Sequence, residues 1–238
     1  MSIYQNAVDR LLGLSDVFGF DPMKIEQGST EWHIMKQGVL SASNADKIVA
    51  KRDSIGRQTY MASLISQICT CKIPDELPFK QLEHGSLYEP EARDALSVAL
   101  GFIDIQELPF IYADEDMRYG NSPDGVHEKT VFEIKAPYNG ENFFKFACFK
   151  ENKKAWRWQS QFQIFSSDAE RHIFAQYEPR SVLANSLHYV ETEINEADQK
   201  TLADAVPQFI SDMDQALNSI GVTFGQHWEY LKNHKEAK

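Results

Sequence analysis

The chain has only three cysteines, Cys69, Cys71 and Cys148, in 238 residues. An odd count with no Cys/His quartet supports neither a disulfide framework nor a zinc site, and Cys69 and Cys71 are too close in sequence to bridge comfortably. All three are expected to be free thiols. No uncharged apolar run approaches membrane-spanning length, and Met1 leads into no signal-peptide pattern, so a soluble, cytoplasmic protein without a membrane partner is expected. Linkers are missing as well. No Pro/Gly/Ser-rich stretch or charge run divides the chain, which reads as a single domain over residues 1–238 with a polar, loosely ordered tail from about residue 229. The last absence is net positive charge: the formal value is −11, which argues against a protein that coats nucleic acid through a positive surface.

What is present is a globular composition, 42% hydrophobic with 15 phenylalanines. Apolar spacing predicts helices over residues 3–12, 59–69, 86–100, 156–165 and 197–220, the last bent near Pro207. Ser41-Ala42-Ser43 offers hydroxyl caps for a further helix through about Ala50, and the polar run 51–58 and the proline-containing run 72–79 read as loops. Strands are expected at 102–105, 109–112, 131–136, 171–177 and 187–194, with 114–125 as a loop region. Strands in the middle with helices before and after predict an α/β fold in which a mixed central β-sheet carries helices on both faces. Between Phe143 and Trp158 five cations alternate with six aromatic rings. That track suits phosphates and stacked bases, and equally a helix with a basic solvated face and an aromatic core face.

The chemistry concentrates at Ser122-Pro123-Asp124-Gly125, a turn sequence, and the strand-like run Val131-Phe132-Glu133-Ile134-Lys135-Ala136. Side chains alternate along a strand, so Glu133 and Lys135 share a face and the Ile134 carbonyl lies between them. If Asp124 closes on that face, two carboxylates and an ammonium form one pocket. Such a set suits hard divalent cations and phosphodiester hydrolysis, with Lys135 polarising the attacking water or stabilising charge on the phosphate. An ordinary turn aspartate and a solvated Glu-x-Lys ion pair fit the same residues.

The wider pattern decides between these readings. Glu31-Trp32-His33, Gly38-Val39, Ser41-Ala42-Ser43, Tyr88-Glu89 with Ala92-Arg93, Asp114-Glu115 with Met117-Arg118, the Asp124 turn, Glu133-Ile134-Lys135 with Pro137, Gln161-Phe162-Gln163 and Phe224-Gly225-Gln226 follow one another over nearly the whole chain. In order and spacing they resemble the lambda-exonuclease or YqaJ-type viral recombinase family, alkaline exonucleases with a restriction-endonuclease-like core. The resemblance implies two Mg2+ ions, with Mn2+ as a substitute, held by Glu89, Asp124, Glu133 and the Ile134 carbonyl. Asp114 matches a further acidic position near that site, and Lys135 the catalytic lysine. Locally, Glu89 also suits a helix start and an ion pair with Arg93 four residues on.

The same resemblance implies a 5′-phosphate pocket at Lys36, Ser43, Ser122 and Gln161 and a strand-separating wedge at Leu82. Lys36 is a departure, because the family's namesake carries Arg there, whose planar fork grips phosphate in a way a lysine does not. The implied activity is 5′→3′ degradation of one strand of linear double-stranded DNA to mononucleotides, leaving a 3′ single strand for recombination. Implied partners are DNA ends, two further copies in a homotrimeric ring and a single-strand annealing protein, in a bacterial cell that carries a phage or prophage. A restriction-like endonuclease or nickase, or a noncatalytic end-binding scaffold, are the competing readings.

Overall fold

Thr130–Lys135 is buried along nearly its whole length and mixes Val, Phe and Ile with one Glu and one Lys. It is the strand on which the site is built. The structure, a computed structural model, describes residues 1–73, 80–101, 103–151 and 153–234, except for the side chains of 80–83. The chain opens with helices α1 (Ile3–Leu12), α2 (Ser15–Phe18) and α3 (Thr30–Met35), then strand β1 (Leu40–Ser41) and helices α4 (Ala45–Ile48), α5 (Ile55–Thr70) and α6 (Lys80–Ala99). Strands β2 (Ile111–Tyr112), β3 (Tyr119–Asn121), β4 (Gly125–His127) and β5 (Thr130–Lys135) follow. Helices α7 (Gly140–Phe149) and α8 (Lys154–Ser167), strands β6 (Arg171–Tyr177) and β7 (Leu187–Glu191), and helices α9 (Glu196–Ser219) and α10 (Gln226–Asn233) complete it.

The strands form two mixed sheets, ordered β1-β3-β2 and β4-β5-β6-β7. In the larger sheet β5 and β6 are parallel, with Glu133 opposite Phe174 and Lys135 opposite Gln176, so the chain must cross over between them. Helices α7 and α8 are that crossover. Alternation then divides the sheet's faces: Phe132, Ile134, Ile173, Ala175 and Tyr177 pack on Ala92 and Leu96 of α6. On the opposite face, the ring of Phe174 lies 5.4 Å from Phe146 of α7 and 5.8 Å from Trp156 of α8. A second core joins Phe162 of α8 to Tyr60, Leu64 and Ile68 of α5 and to Leu202, Val206, Phe209, Met213 and Leu217 of α9. The α9 residues recur every three or four positions, a stripe in which each fully buried side chain is worth about 1.5–3 kcal/mol.

This is the expected α/β arrangement with helices on both faces, its strands shared between two sheets. Helix α1 and strand β6 have the expected bounds. Other elements differ for local reasons. Helix α5 begins at Ile55, inside the expected loop, because the Ser54 hydroxyl accepts the Arg57 N–H at 3.4 Å. The helix expected after Ser41 is a 3-10 turn, Ala42–Asn44, followed by the single turn α4, and neither has a side-chain cap. Ser41 and Ser43 instead share a hydrogen bond of 3.2 Å between their hydroxyls. Helix α6 starts at Lys80, so Glu89 lies nine residues in and gains nothing from a helix start. Within the expected loop 114–125 lies β3, the middle strand of the smaller sheet.

Residues 103–105 belong to no strand, although Gln106 pairs with Val126 through two 2.8 Å bonds, and Phe102 lies outside the described residues. The expected loop at 72–79 also falls outside them from residue 74 onward. The chain after Gly225 forms helix α10 through Asn233, and its Trp228 is 2% exposed and donates its indole N–H to the Ile34 carbonyl at 2.8 Å. Residues 235–238 lie outside the described residues. The three cysteines are free, and no described helix is long and apolar enough to cross a membrane.

Candidate active site

Because β4 runs antiparallel beside β5, the residue just before it, Asp124, is delivered to the last turn of the β5 ladder. Its N–H donates to the Phe132 carbonyl at 3.1 Å, and its Oδ2 accepts the Ile134 N–H at 2.6 Å. Strand alternation puts Glu133 and Lys135 on one face, where the Lys135 Nζ contacts Glu133 Oε1. Asp124, Ile134, Lys135 and Glu89 line one cleft of about 390 Å³ with Asn139, Asn142, Lys153 and Trp156. Glu133 is 1% exposed and meets the cleft through Lys135.

The charges there strain against one another. Burial, and then the neighbouring Glu133, push the Asp124 carboxyl well above the usual carboxylate range. Burial also raises Glu89, against the opposing pull of Arg93 and Lys135. For Lys135 burial works to lower the pKa, but Glu133 and Asp124 outweigh it and hold the ammonium above its ordinary value. Glu89 is turned to Arg93, its Oε1 accepting from the guanidinium at 2.7 Å. Arg93 also contacts Glu107 and donates to the Asp124 carbonyl at 2.9 Å, which ties α6 to the Asp124 turn.

Among the described residues no three His, Cys, Asp or Glu side chains converge as a ready-made metal cage. The donors nevertheless have the chemistry of a hard-cation site: three carboxylates in electrostatic range of one another, and an adjacent backbone carbonyl. A divalent cation would relieve the repulsion that raises Asp124. Glu133 is further held from behind by Gln159 Nε2 at 2.6 Å and Gln163 Nε2 at 2.5 Å, both from α8. Gln159 escaped the sequence reading. The available signal was two glutamines one helical turn apart on a helix face shared with Trp156 and Phe162.

The remaining expected residues divide. Lys36 and Ser122 come together around Trp32: the lysine Nζ lies 3.4 Å from the indole ring centroid, and the indole N–H donates to the Ser122 hydroxyl at 3.1 Å. Ser122 in turn donates to the Pro109 carbonyl at 3.1 Å. Burial pulls Lys36 down to about 7. Ser43 is exposed on the 3-10 turn that packs against α8, the helix that carries Gln161. Gln161 is 2% exposed and its amide is committed to structure, donating to the Glu193 carbonyl at 2.8 Å and accepting from the Asn195 N–H at 3.2 Å. The side chain of Leu82 lies outside the described residues.

Asp114 is not brought to the cleft. It accepts the Arg118 N–H at 2.8 Å and lines a separate pocket with Arg118 and Asp214. Strand β3 lies between Asp114 and Asp124 in the chain and sets them apart. The aromatic and basic track splits between α7 and α8 at Lys150, whose φ is 57°. Phe143 and Phe146 enter the core, Arg157 pairs with Asp198 at 2.6 Å, and Trp156 and Lys153 border the cleft.

Comparison with known proteins is consistent with this geometry. Residues 31–170 match the family described as a YqaJ-like viral recombinase domain. Over 85 residues the chain is 36% identical to ExoD of Escherichia coli (strain K12), described as uncharacterised, a stretch that covers 36% of this chain and 97% of ExoD. Among solved structures, the alkaline exonuclease LHK-Exo from Laribacter hongkongensis superposes with a TM-score of 0.70 at 22% identity, over 88% of this chain and 99% of that one. LHK-Exo in complex with dAMP also gives 0.70, at 23% identity with the same coverage. A phage related exonuclease from Haemophilus somnus 129PT gives 0.62 at 12% identity, over 77% and 96% of the two chains. The shared feature is the fold, a mixed α/β core.

Proposed function

This chain belongs to the YqaJ-like viral recombinase family, and from that premise we propose that it is a magnesium-dependent 5′→3′ exodeoxyribonuclease acting on the ends of double-stranded DNA. The observation that carries the reading is the meeting of Asp124 with the Glu133/Lys135 face of β5 at one cleft. Asp124, Glu133 and the Ile134 carbonyl would hold Mg2+, with Glu89 joining once released from Arg93; two ions fit the family pattern, and Mn2+ would substitute. A bound divalent cation supplies Lewis acidity and lowers the pKa of water. The chain's own contribution is positional. Lys135 presents a positive charge to the scissile phosphate, Asp124 is fixed by the Ile134 N–H, and the walls of the cleft orient the strand.

Lys36 and Ser122 face a terminal 5′-phosphate in this reading, with Ser43 and, once its amide is released from Glu193 and Asn195, Gln161 as the rest of its pocket and Leu82 as the wedge between strands. The products are mononucleotides, in keeping with the dAMP held by LHK-Exo, and a 3′ single strand passed to an annealing protein. A homotrimeric ring would enclose the duplex, in the cytoplasm of a bacterium carrying a phage or prophage.

The test is digestion of linear duplex in Mg2+, labelled at the 5′ end and separately at the 3′ end. The 5′ label should be released first, as a mononucleotide, and Lys135→Ala should lose roughly 100- to 1,000-fold in rate. Release of the 3′ label first, or equal rates for Lys135→Ala and the unmodified chain, overturns the reading. Rapid cutting of a covalently closed circle would instead favour an endonuclease.

A further inference from the structure

Gln163 holds the buried Glu133 carboxylate by one end of its amide only. Carboxylate oxygens accept hydrogen bonds, so the Gln163 NH2 must face Glu133 Oε2, 2.5 Å away, and its carbonyl must face the other way. That carbonyl lies 2.8 Å from His172 Nε2 and therefore needs a hydrogen there. The other ring nitrogen, Nδ1, is 3.0 Å from the Thr192 hydroxyl and is left to accept its proton. One tautomer of His172 satisfies every partner. Gln163 and His172 are both 0% exposed, so no water competes for these positions. Burial also lowers the His172 pKa to about 3, which keeps the ring neutral with one donating and one accepting nitrogen.

We propose that His172 is a positioning residue for Glu133: by donating to the Gln163 carbonyl it anchors the amide that grips the carboxylate, and so aims Glu133 at the cleft where cation and phosphodiester meet. The inference rests on the nuclease reading above. Without the Nε2 hydrogen, the buried Gln163 carbonyl loses its donor, and the amide, its NH2 still turned to the carboxylate, is no longer anchored at its far end. Glu133 then swings away from the orientation it shares with Gln159 and Lys135. Partners that orient a metal ligand in this way typically matter by 10- to 100-fold in affinity or activity.

Two substitutions separate orientation from simple packing. His172→Phe keeps a ring in the space and removes the donor, whereas His172→Gln places an amide NH2 near the position of Nε2. Binding of Mn2+ alone is measured by calorimetry, alongside kcat and KM for linear duplex. His172→Phe should weaken Mn2+ binding and lower kcat by roughly 10- to 100-fold with KM unchanged, and His172→Gln should restore most of both. Mn2+ binding by His172→Phe as tight as that of the unmodified chain overturns the proposal, as do equal losses in the two variants.

If His172→Phe has no cooperative melt, Thr192→Val carries the test. It should shift Mn2+ binding in the same direction by a smaller factor, and unchanged binding overturns the proposal. An unmodified chain that binds Mn2+ but does not digest DNA, with binding weakened in His172→Phe and restored in His172→Gln, removes the nuclease reading and supports the positioning role. An unmodified chain that digests DNA, and a His172→Phe variant that digests it equally well, removes the positioning role alone. An unmodified chain that binds no Mn2+ removes both.

Discussion

Lys36 keeps its ammonium 3.4 Å from the Trp32 ring centroid, and burial brings its pKa down to about 7, so near neutrality the residue is divided between two charge states. Only the protonated state attracts a phosphate. As pH rises through 7 the charged fraction falls, up to roughly tenfold per pH unit once well past the pKa. Preference for a 5′-phosphorylated end over a 5′-hydroxyl end should therefore weaken between about pH 7 and 9, and rate ratios on the two ends measure it. Lys36→Ala should lose the preference at every pH. Lys36→Arg, whose guanidinium stays charged, should keep it at alkaline pH. A preference independent of pH in the unmodified chain would remove Lys36 from the pocket. The departure from the arginine that the family resemblance implies at this position thus becomes a pH dependence once Lys36 is set against Trp32.

Between elements, the comparable feature is Asp212 of α9, which accepts from Arg57 of α5 at 2.8 Å and from Arg52 at 2.5 Å. The Arg57 side chain is 5% exposed and also lies over the Phe209 ring, 4.6 Å from its centroid. Asp212→Ala leaves that guanidinium buried without its carboxylate and should cost about 3 kcal/mol in urea unfolding, while the paired change Arg57→Met with Asp212→Leu should recover most of it. A loss no larger than that of an exposed pair would place the stability of this seam in the apolar stripe alone. The same seam shows why some elements were legible in the sequence and others were not. Helix α1, strands β5 and β6 and helix α9 bury continuous faces, so their periodicity is written locally. The start of α5 is set by a local cap, Ser54, that the polar run 51–58 disguised as loop; the pairing of its Arg57, and of Arg52, with Asp212 far away in the chain was not legible at all. Strand β3 contains Gly120 and Asn121, residues with poor strand propensity, and it exists because β1 and β2 flank it. At the site, Asp124, Glu133 and Lys135 were legible because alternation on one strand and one turn suffices. The grip of Gln159 and Gln163 on Glu133, the bond from Arg93 to the Asp124 carbonyl and the separation of Asp114 all depend on how elements pack.

For the whole molecule, the formal charge of −11 sets a problem that no single residue solves. A nuclease that advances along DNA must stay on a polyanion that its overall surface repels, and phosphate contacts weaken steeply with salt. On the reading proposed above, enclosure by a ring of three chains would answer this, because an encircled duplex leaves only through an end and attraction need act only near the cleft. Loading and progress should then respond differently to salt. Raising NaCl from about 50 to 200 mM before the enzyme meets a long linear duplex should suppress digestion by an order of magnitude or more. The same addition after digestion has begun, together with excess unlabelled DNA to trap released enzyme, should let engaged molecules continue. Sedimentation should find three chains per particle under both conditions. If salt and trap stop digestion at once, or the particle is a monomer, the chain is held by local cations alone. The border of the cleft at Lys153 and Trp156 would then carry the hold on the strand, and with Lys153 substituted by alanine loading should weaken further and its salt dependence flatten.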